Sequence, residues 1–571
     1  MEIAGEHILP FKNLKKRGEI LLSREKGTIF KPWGNRLKVA LVYPNTYNVG
    51  ICNLGFQTIY ERLNSLDYVV CERVFLPDAN ISVSSLESAR PLQDFDVLAF
   101  SISFEQDYLN ILKTLELARI PFLSSHRGGN NPLLIAGGAA IFLNPEPIAD
   151  FFDAFVIGEG EDVISELFGI IRTCKWGHTD RLELKKELSS IEGVYIPAFY
   201  NITYCPDNRI DKVIPLYNAP EKVKKRRVED INKYPIHSVI TTPYSEFRNT
   251  ELIEVSRGCG KGCRFCAAGF IYLPPRERSK EVIMDSVIKG IDKTGKVGLV
   301  GAAVSEYSGL KDVCRQVIDI GGEATLSSLR LDVIDKECLL LLKGSGYKTI
   351  TLAPEAGSDR LRDVINKCIS DEEIFNAASL ISEAGMNKVK LYFMIGLPTE
   401  SDYDIEAIVL LVKKIRGIIK KGEITLKVNP FIPKPWTPFQ WSPYAGIGVL
   451  QKRLKIVKRG LAIIKGIRVN FLSPREGYAQ TYLSMGDRRL RDTLITAHYK
   501  GWREAFRKAE PLPDFFVNRE KRFEEVLPWD FIDHGIKKRY LWDEYQRALK
   551  DITTPPCNVG RCTRCGVCLM M

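Results

Sequence analysis

Two successive series of short apolar runs constrain this chain more than any other feature of it. Each run is four to six residues long, and stretches long enough for amphipathic helices separate them. The first series is Lys38–Tyr43, Val97–Ser101, Leu133–Gly137 and Ala154–Gly158. The second is Leu252–Val255, Val297–Val300, Glu323–Leu326, Thr349–Leu352, Lys388–Phe393 and Ile424–Val428. In the first series, runs without polar alternation suit strands buried on both faces and the intervening lengths suit crossover helices, which predicts a parallel sheet; the second series repeats strand-length runs and helical segments, so the chain is predicted to be α/β. In such sheets ligands bind beyond the carboxyl ends of the strands. Glycine and polar residues stand there in the first series, at Pro44–Gly50, Ser101–Ser103, Gly137-Gly138 and Gly158–Glu161.

The division that follows is a polar, helical leader (1–36), a Rossmann-like domain (37–170), a mixed connector (171–245), a second α/β domain (246–445) and an α+β extension (446–571). A length of 571 residues accommodates about three or four domains. With 45% hydrophobic and 26% charged residues, the composition is that of a globular protein rather than a disordered one. No apolar run of about eighteen residues and no basic-then-apolar leader is present, so a cytoplasmic protein with no membrane insertion is expected. A net charge of +11 permits an acidic or nucleic-acid partner without requiring one. The densest basic run, Lys222–Arg227, reads as a solvated linker.

Of the fourteen cysteines, seven are scattered singly and read as reduced thiols, while seven fall in two tight clusters with metal-ligand spacing. The first cluster, Cys259, Cys263 and Cys266, has the spacing C-x₃-C-x₂-C just after an apolar run. Three thiolates on one loop suit a [4Fe–4S] cube with one iron open to substrate, because a cube normally takes four. Gly258, Gly260 and Gly262 let the backbone fold closely around a cluster, and Phe265 sets an aromatic ring beside the last cysteine. The alternatives are ordinary thiols or part of a zinc site, but a structural zinc wants four ligands and no close His or Cys follows. The second cluster, Cys557, Cys562, Cys565 and Cys568, carries four thiols and is closer to ferredoxin-type ligation than to a zinc ribbon. Structural zinc is the alternative there.

The first motif resembles the signature of the radical S-adenosylmethionine (radical SAM) superfamily, whose open iron chelates the amino and carboxylate groups of the methionine moiety. The resemblance covers most of the chain. It implies that residues 246–445 form a partial (β/α)₆ barrel whose reactive residues sit at the C-terminal strand ends. There, Ser327 and Arg330 would meet ribose hydroxyls and a carboxylate. Glu355, in Pro354-Glu-Ala-Gly-Ser358, is similar to the E-x-G-S turn of the branch that includes methylthiotransferases. Ile395-Gly-Leu-Pro-Thr-Glu400 and the proline-rich loop Asn429–Gln440 are similar to later segments of that branch. Gly301 and Ala302 stand where a G-G-E-like segment would bind the methionine amino group, leaving a backbone carbonyl in that role. For Arg330 and Glu355 the competing reading is ion pairing at the barrel rim.

The N-terminal domain resembles the cobalamin-binding domain that precedes many such barrels. Ser101, Gly137 and Gly138 fit the serine and glycine-pair segments of that domain. Asn45 and Tyr47 stand where its D-x-H-x-x-G aspartate and cobalt-ligating histidine would be. The implication is either a cobalamin with no protein ligand on cobalt or a domain that kept the fold and lost the cofactor. The resemblance as a whole implies reductive cleavage of S-adenosylmethionine to a 5′-deoxyadenosyl radical for hydrogen abstraction. With cobalamin, methylation of an unactivated carbon is the expected outcome. A cobalamin-independent modification of RNA or protein, or a non-catalytic iron–sulfur scaffold, stands as the alternative. The implied cofactors are a [4Fe–4S] cluster, S-adenosylmethionine, cobalamin and a second [4Fe–4S] cluster or zinc at the C-terminus. The implied partners are a flavodoxin- or ferredoxin-type electron donor and a small-molecule, RNA or protein substrate.

Overall fold

A computed structural model describes residues 14–77, 82–177, 179–326, 329–344, 346–347 and 349–570. The chain divides into two compact units, the first comprising residues 1–229, 236–249 and 487–508, and the second 230–235, 250–486 and 509–571.

The first unit is built on a six-stranded sheet of β1 (Leu37–Tyr43), β2 (Val69–Phe75), β3 (Val97–Ser101), β4 (Leu133–Gly137), β5 (Ala154–Val156) and β6 (Val194–Tyr195). Its order is β2-β1-β3-β4-β5-β6, with the first five strands parallel and β6 antiparallel to β5. Helices such as Leu54–Ser65 and Tyr108–Leu117 connect the strands, as the apolar runs require. Strand β2 is not among the expected strands, because Glu72 and Arg73 interrupt its apolar run. Both charges are nonetheless buried and partnered. Glu72 accepts from the Trp33 indole at 2.6 Å, while Arg73 pairs with Glu25 at 2.7 Å and Glu87 at 2.6 Å.

Two segments join this unit from regions expected to lie outside it. The connector supplies β6, and Arg226 of the basic run bridges to Gly158 beyond β5, bonding Ile157 and Glu159 at 2.9 and 3.0 Å. A Cβ on Gly158 would lie 2.2 Å from the Arg226 carbonyl oxygen, so only glycine admits this approach. The run is thus partly structural, and Lys225 is buried. Residues 487–508, from the expected C-terminal extension, also belong here as helices Leu490–Lys500 and Trp502–Lys508. Arg488 bonds the fully buried Glu146 at 2.9 and 3.1 Å, the Tyr195 hydroxyl at 2.9 Å and the Tyr200 carbonyl at 2.9 Å.

Among the described residues, the second unit holds seven parallel strands in two ladders. The first ladder contains β7 (Glu251–Glu254), β8 (Lys296–Val300) and β9 (Glu323–Leu326). The second contains β10 (Thr349–Glu355), β11 (Lys388–Ile395), β12 (Glu423–Pro430) and β13 (Ile467–Phe471). The six expected strands fall where their apolar runs lie. A seventh, β13, continues the ladder from inside the stretch expected to be the C-terminal extension, with Ile424 in register with Ile467. Along β11 the residues Val389, Leu391, Phe393 and Ile395 are buried, an alternation that gives one face to the core. Trp441, Trp542 and Tyr545 form an aromatic core that fixes helix Lys538–Ala548, with Trp441 and Trp542 ring centroids 5.1 Å apart. Among the described residues no helix is long and apolar enough to cross a membrane.

Candidate functional site

The chain leaves β7 and enters the cysteine loop through a short stem, Ser256–Arg257 paired antiparallel with Arg276–Glu277. Glu254 braces this stem, accepting from Arg257 at 2.9 Å and from Arg278. Gly258 has φ +83° and a Cβ there would lie 2.5 Å from the Tyr272 carbonyl oxygen, so the turn out of the stem demands glycine. Gly262, at φ +71°, turns the chain again between the first two cysteines. Cys263 is buried, Cys259 and Cys266 are partly accessible, and Phe265 is half-buried between the last two.

Burial pushes the Cys266 thiol up to about 12, reinforced by the neighbouring Cys263, and burial likewise raises Cys259. Protonated thiols do not bind iron well, so cationic neighbours matter. Arg330 acts on Cys259 and Lys367 on Cys266, each favouring the thiolate. Among the described residues no three His, Cys, Asp or Glu side chains converge as they would on a single metal ion. A cube takes each thiolate on a different iron. Three thiols on one glycine-hinged loop, flanked by two cations, fit such a cluster.

Beyond the loop, Arg330 stands in an ion network. Its Nε lies 2.9 Å from Glu306 and 3.0 Å from Asp332, and Lys261 of the cysteine loop reaches Glu306 at 2.8 Å and Asp332 at 3.5 Å. Glu355 pairs instead with Lys367 at 3.6 Å, and burial raises its carboxyl. Its backbone sits at φ +68°, where a side chain is strained by about 1–3 kcal/mol. Gly301 packs against Ser256, whose hydroxyl oxygen would be 2.7 Å from an added Cβ, and Ala302 is exposed beside it. Ser327 lies outside the described residues. The remaining branch motifs have structural work. A Cβ on Gly357 would be 2.3 Å from the Ile408 nitrogen, Ser358 caps helix Asp359–Val364, and Glu400 accepts from Gly396 at 2.7 Å and pairs with Arg453 at 2.7 Å.

In the first unit Ser101 and Gly137 are register partners at the ends of β3 and β4. Gly138 has φ +112°, and a Cβ would lie 2.4 Å from the Ile102 carbonyl oxygen, so internal packing already requires this glycine. Tyr47 is 2% exposed, donates to Glu25 at 2.6 Å and packs edge-on against Phe75 at 5.1 Å. Its hydroxyl is therefore committed to the protein interior. Asn45 donates to Asp107 at 2.7 Å, and burial pushes the Asp107 carboxyl up to about 6. These residues do not offer an axial ligand to cobalt.

The C-terminal cysteines form a wrapped loop. Gly560 and Gly566 have φ of +81° and +95°, Cys562 N–H donates to the Asn558 carbonyl at 2.8 Å, and the Cys565 carbonyl accepts from Lys537 at 2.9 Å. Burial and the other three thiols raise Cys557 to about 11. At Cys562, hydrogen bonds from Arg564, one at 3.2 Å, outweigh burial and lower the thiol. This loop meets the first one directly, for the Cys557 N–H donates to the Gly260 carbonyl at 2.7 Å.

Sequence reasoning did not single out the residues that lock the two loops together. Arg264, between Cys263 and Phe265, is fully buried. It donates to Glu544 at 3.1 Å and to the carbonyls of Val364 and Ile552 at 2.9 and 2.7 Å. Asn366 donates to the Thr554 carbonyl at 3.1 Å and accepts from its N–H at 2.8 Å, while reaching the Gly262 carbonyl at 3.3 Å. An arginine inside a cysteine motif is the only signal that could have found this hub.

Comparisons with known proteins place these observations among relatives. The family described as "Radical SAM proteins, N-terminal" matches residues 55–197, and "Radical SAM superfamily" matches residues 253–412. An uncharacterised protein of Methanocaldococcus jannaschii is 33% identical over 456 residues, 79% of this chain and 89% of that protein. An uncharacterised methyltransferase of Pyrococcus horikoshii is 21% identical over 346 residues, 57% of this chain and 68% of that protein. A tRNA-2-methylthio-N(6)-dimethylallyladenosine synthase of Anaplasma marginale is 26% identical over 39% of this chain, which spans 52% of that enzyme. Among solved structures, the cobalamin-dependent S-adenosylmethionine radical enzyme OxsB with aqua-cobalamin and S-adenosylmethionine bound aligns with 90% of this chain and 80% of its own. The identity is 14% and the TM-score 0.46. A second OxsB structure, with aqua-cobalamin bound, aligns over 66% of this chain and 52% of its own at 16% identity and a TM-score of 0.45.

Proposed function

The chain belongs to the radical SAM superfamily of enzymes, and from that premise we propose that Cys259, Cys263 and Cys266 hold the cluster at which it cleaves S-adenosylmethionine. When bound, the cluster supplies one electron to S-adenosylmethionine, giving methionine and a 5′-deoxyadenosyl radical that abstracts hydrogen from a substrate carbon. The protein's own part is holding and orienting. Gly258 and Gly262 wrap the loop, Arg330 and Lys367 favour the thiolates, and the Lys261–Glu306–Arg330–Asp332 network fixes Arg330 beside them. Strained backbone tends to collect at functional positions. Glu355, with its positive φ at a strand end, is accordingly the side chain we assign to the bound nucleoside. The Gly301-Ala302 carbonyl is assigned to the methionine ammonium. The observation that carries the reading is the three-thiol loop with two cations beside it.

The finer reading is methyl transfer to carbon, with a cobalamin carried at the Ser101–Gly137 edge without a protein ligand on cobalt. The name of the Pyrococcus relative, an uncharacterised methyltransferase, supports methyl chemistry. The inward commitment of Tyr47 and the internal packing of Gly138 favour a second reading, a radical modification without cobalamin. One anaerobic experiment tests both. The reconstituted protein with dithionite should yield 5′-deoxyadenosine from S-adenosylmethionine and Cys263→Ala should yield none. Product from the variant at the wild-type level would sink the assignment. Loading with cob(II)alamin should give an electron paramagnetic resonance spectrum without nitrogen superhyperfine splitting. Splitting from an imidazole would contradict the reading of Tyr47, and failure to bind would select the second reading.

A further inference from the structure

We propose that Cys557, Cys562, Cys565 and Cys568 hold a second [4Fe–4S] cluster that delivers electrons to the cluster of the Cys259–Cys266 loop, because the two cysteine loops are in direct backbone contact. The inference rests on the cluster assignment just made for the first loop. The contact is the 2.7 Å bond from the Cys557 N–H to the Gly260 carbonyl. A Cβ added at Gly260 would stand 3.4 Å from the Cys557 Cβ and carbonyl oxygen, at van der Waals contact, so the two loops touch at this point. Cys259, Gly260, Cys557, Cys562 and Cys565 line one shared cavity.

The contact is anchored rather than incidental. The Arg264 guanidinium ties the first loop to Glu544 and to the Ile552 and Thr554 segment that leads into Cys557. Asn366 clasps Thr554 from the other side and reaches the Gly262 carbonyl. Four cysteines saturate a cube and leave no open iron, so such a centre has electron transfer rather than substrate binding available to it. A zinc ion in the same place would have no redox chemistry. The electron balance is simple. A one-electron protein donor of the flavodoxin or ferredoxin class reduces the C-terminal cluster from 2+ to 1+. That cluster returns to 2+ as the loop cluster goes from 2+ to 1+, and no proton or atom moves.

The test uses the full-length reconstituted protein and the double variant Cys562→Ala/Cys568→Ala. About four irons per chain should be lost from the variant while about four remain on the first loop. Cleavage of S-adenosylmethionine driven by reduced flavodoxin should be lost in the variant, while cleavage driven by dithionite, a small reductant that reaches the first cluster directly, is retained. Independently of activity, the fully reduced wild-type protein should show an electron paramagnetic resonance spectrum broadened by spin–spin interaction between two clusters, collapsing to a single-cluster spectrum in the variant. Zinc at the tail, unaltered flavodoxin-driven cleavage, or a wild-type spectrum that is a plain sum of two isolated clusters would each overturn the proposal. If wild-type protein fails to cleave S-adenosylmethionine even with dithionite, the assignment of the first loop fails. The spin–spin measurement on wild-type protein still decides whether the two centres are neighbours, and it requires no variant to fold.

Discussion

Replacing Arg264 with methionine removes the charge that joins the two cysteine loops and keeps most of the side chain's volume. Arg264 is fully buried and Glu544, its ion partner, is 5% exposed. Removing one member of a buried pair leaves an uncompensated buried charge, at a cost of about 3–5 kcal/mol. The Val364 and Ile552 carbonyls lose their donor as well. The loss falls on the contact between the tail and the loop before it falls on the whole unit, so it should appear as local opening. Every 1.4 kcal/mol is a factor of ten, and the amides around Cys557 should therefore exchange with solvent roughly 10² to 4 × 10³-fold faster in Arg264→Met. Hydrogen exchange read by mass spectrometry over residues 549–568 measures this directly. The double variant Arg264→Met/Glu544→Met, with an apolar pair in place of the ionic one, should recover much of the protection, because such replacements are often neutral. Exchange in Arg264→Met within about 0.5 kcal/mol of wild type would refute the claim that this guanidinium holds the tail.

Two further expectations concern the barrel. Burial outweighs the Gly396 amide and Arg453 at Glu400 and pushes its carboxyl up to about 7 from an ordinary 4.5. The folded state then keeps a proton that the unfolded state has released, and stability falls as pH rises from about 4.5 to about 7, by roughly 1.4 kcal/mol per pH unit. Denaturant titrations of Glu400→Gln should lack that slope, and a wild-type-minus-variant difference that is flat or rising across the window would count against it. Gly357→Ala would drive a Cβ to 2.3 Å from the Ile408 nitrogen and 2.5 Å from the Asp404 carbonyl oxygen, on the helix Asp402–Ile418. A loss of about 1–3 kcal/mol in denaturant stability is expected from such overpacking, and an unchanged midpoint would show that the helix can move aside.

The strands that the sequence revealed were those whose apolar residues either run without interruption, as in β1, or recur at every second position, as in β11, and both patterns can be read without a partner. Strand β2 escaped notice since Glu72 and Arg73 look like surface residues until Trp33, Glu25 and Glu87 surround them, and those partners come from other segments. Strand β13 lay in a stretch expected to be a separate extension, and only its pairing with β12 assigns it to the second ladder. The cysteine loop was legible in full, since its three cysteines and their turns lie within ten positions of one another. The locking hub was not. Arg264, Asn366, Glu544 and Thr554 are ordinary polar residues spread over nearly three hundred positions, and only folding brings them to one point. Within the turn that carries Glu355, Gly357 packs against a neighbouring helix and Ser358 caps the next one, roles that depend on partners the motif itself does not contain.

The return of residues 487–508 to the first unit sets a timetable for making this protein. Arg488 follows Glu146 by 342 positions. A ribosome adding about 5–20 residues per second takes roughly 20–70 s to cover that interval. From the moment β6 is made until residue 488 appears, the nascent first unit has its sheet but not the guanidinium that pairs with Glu146, and the helices that complete it are still unmade. The N-terminal half therefore cannot mature ahead of the barrel. A stop codon or cleavage anywhere before residue 487 would strand it with a buried acid and an uncovered flank, visible to chaperones and proteases as an unfinished molecule.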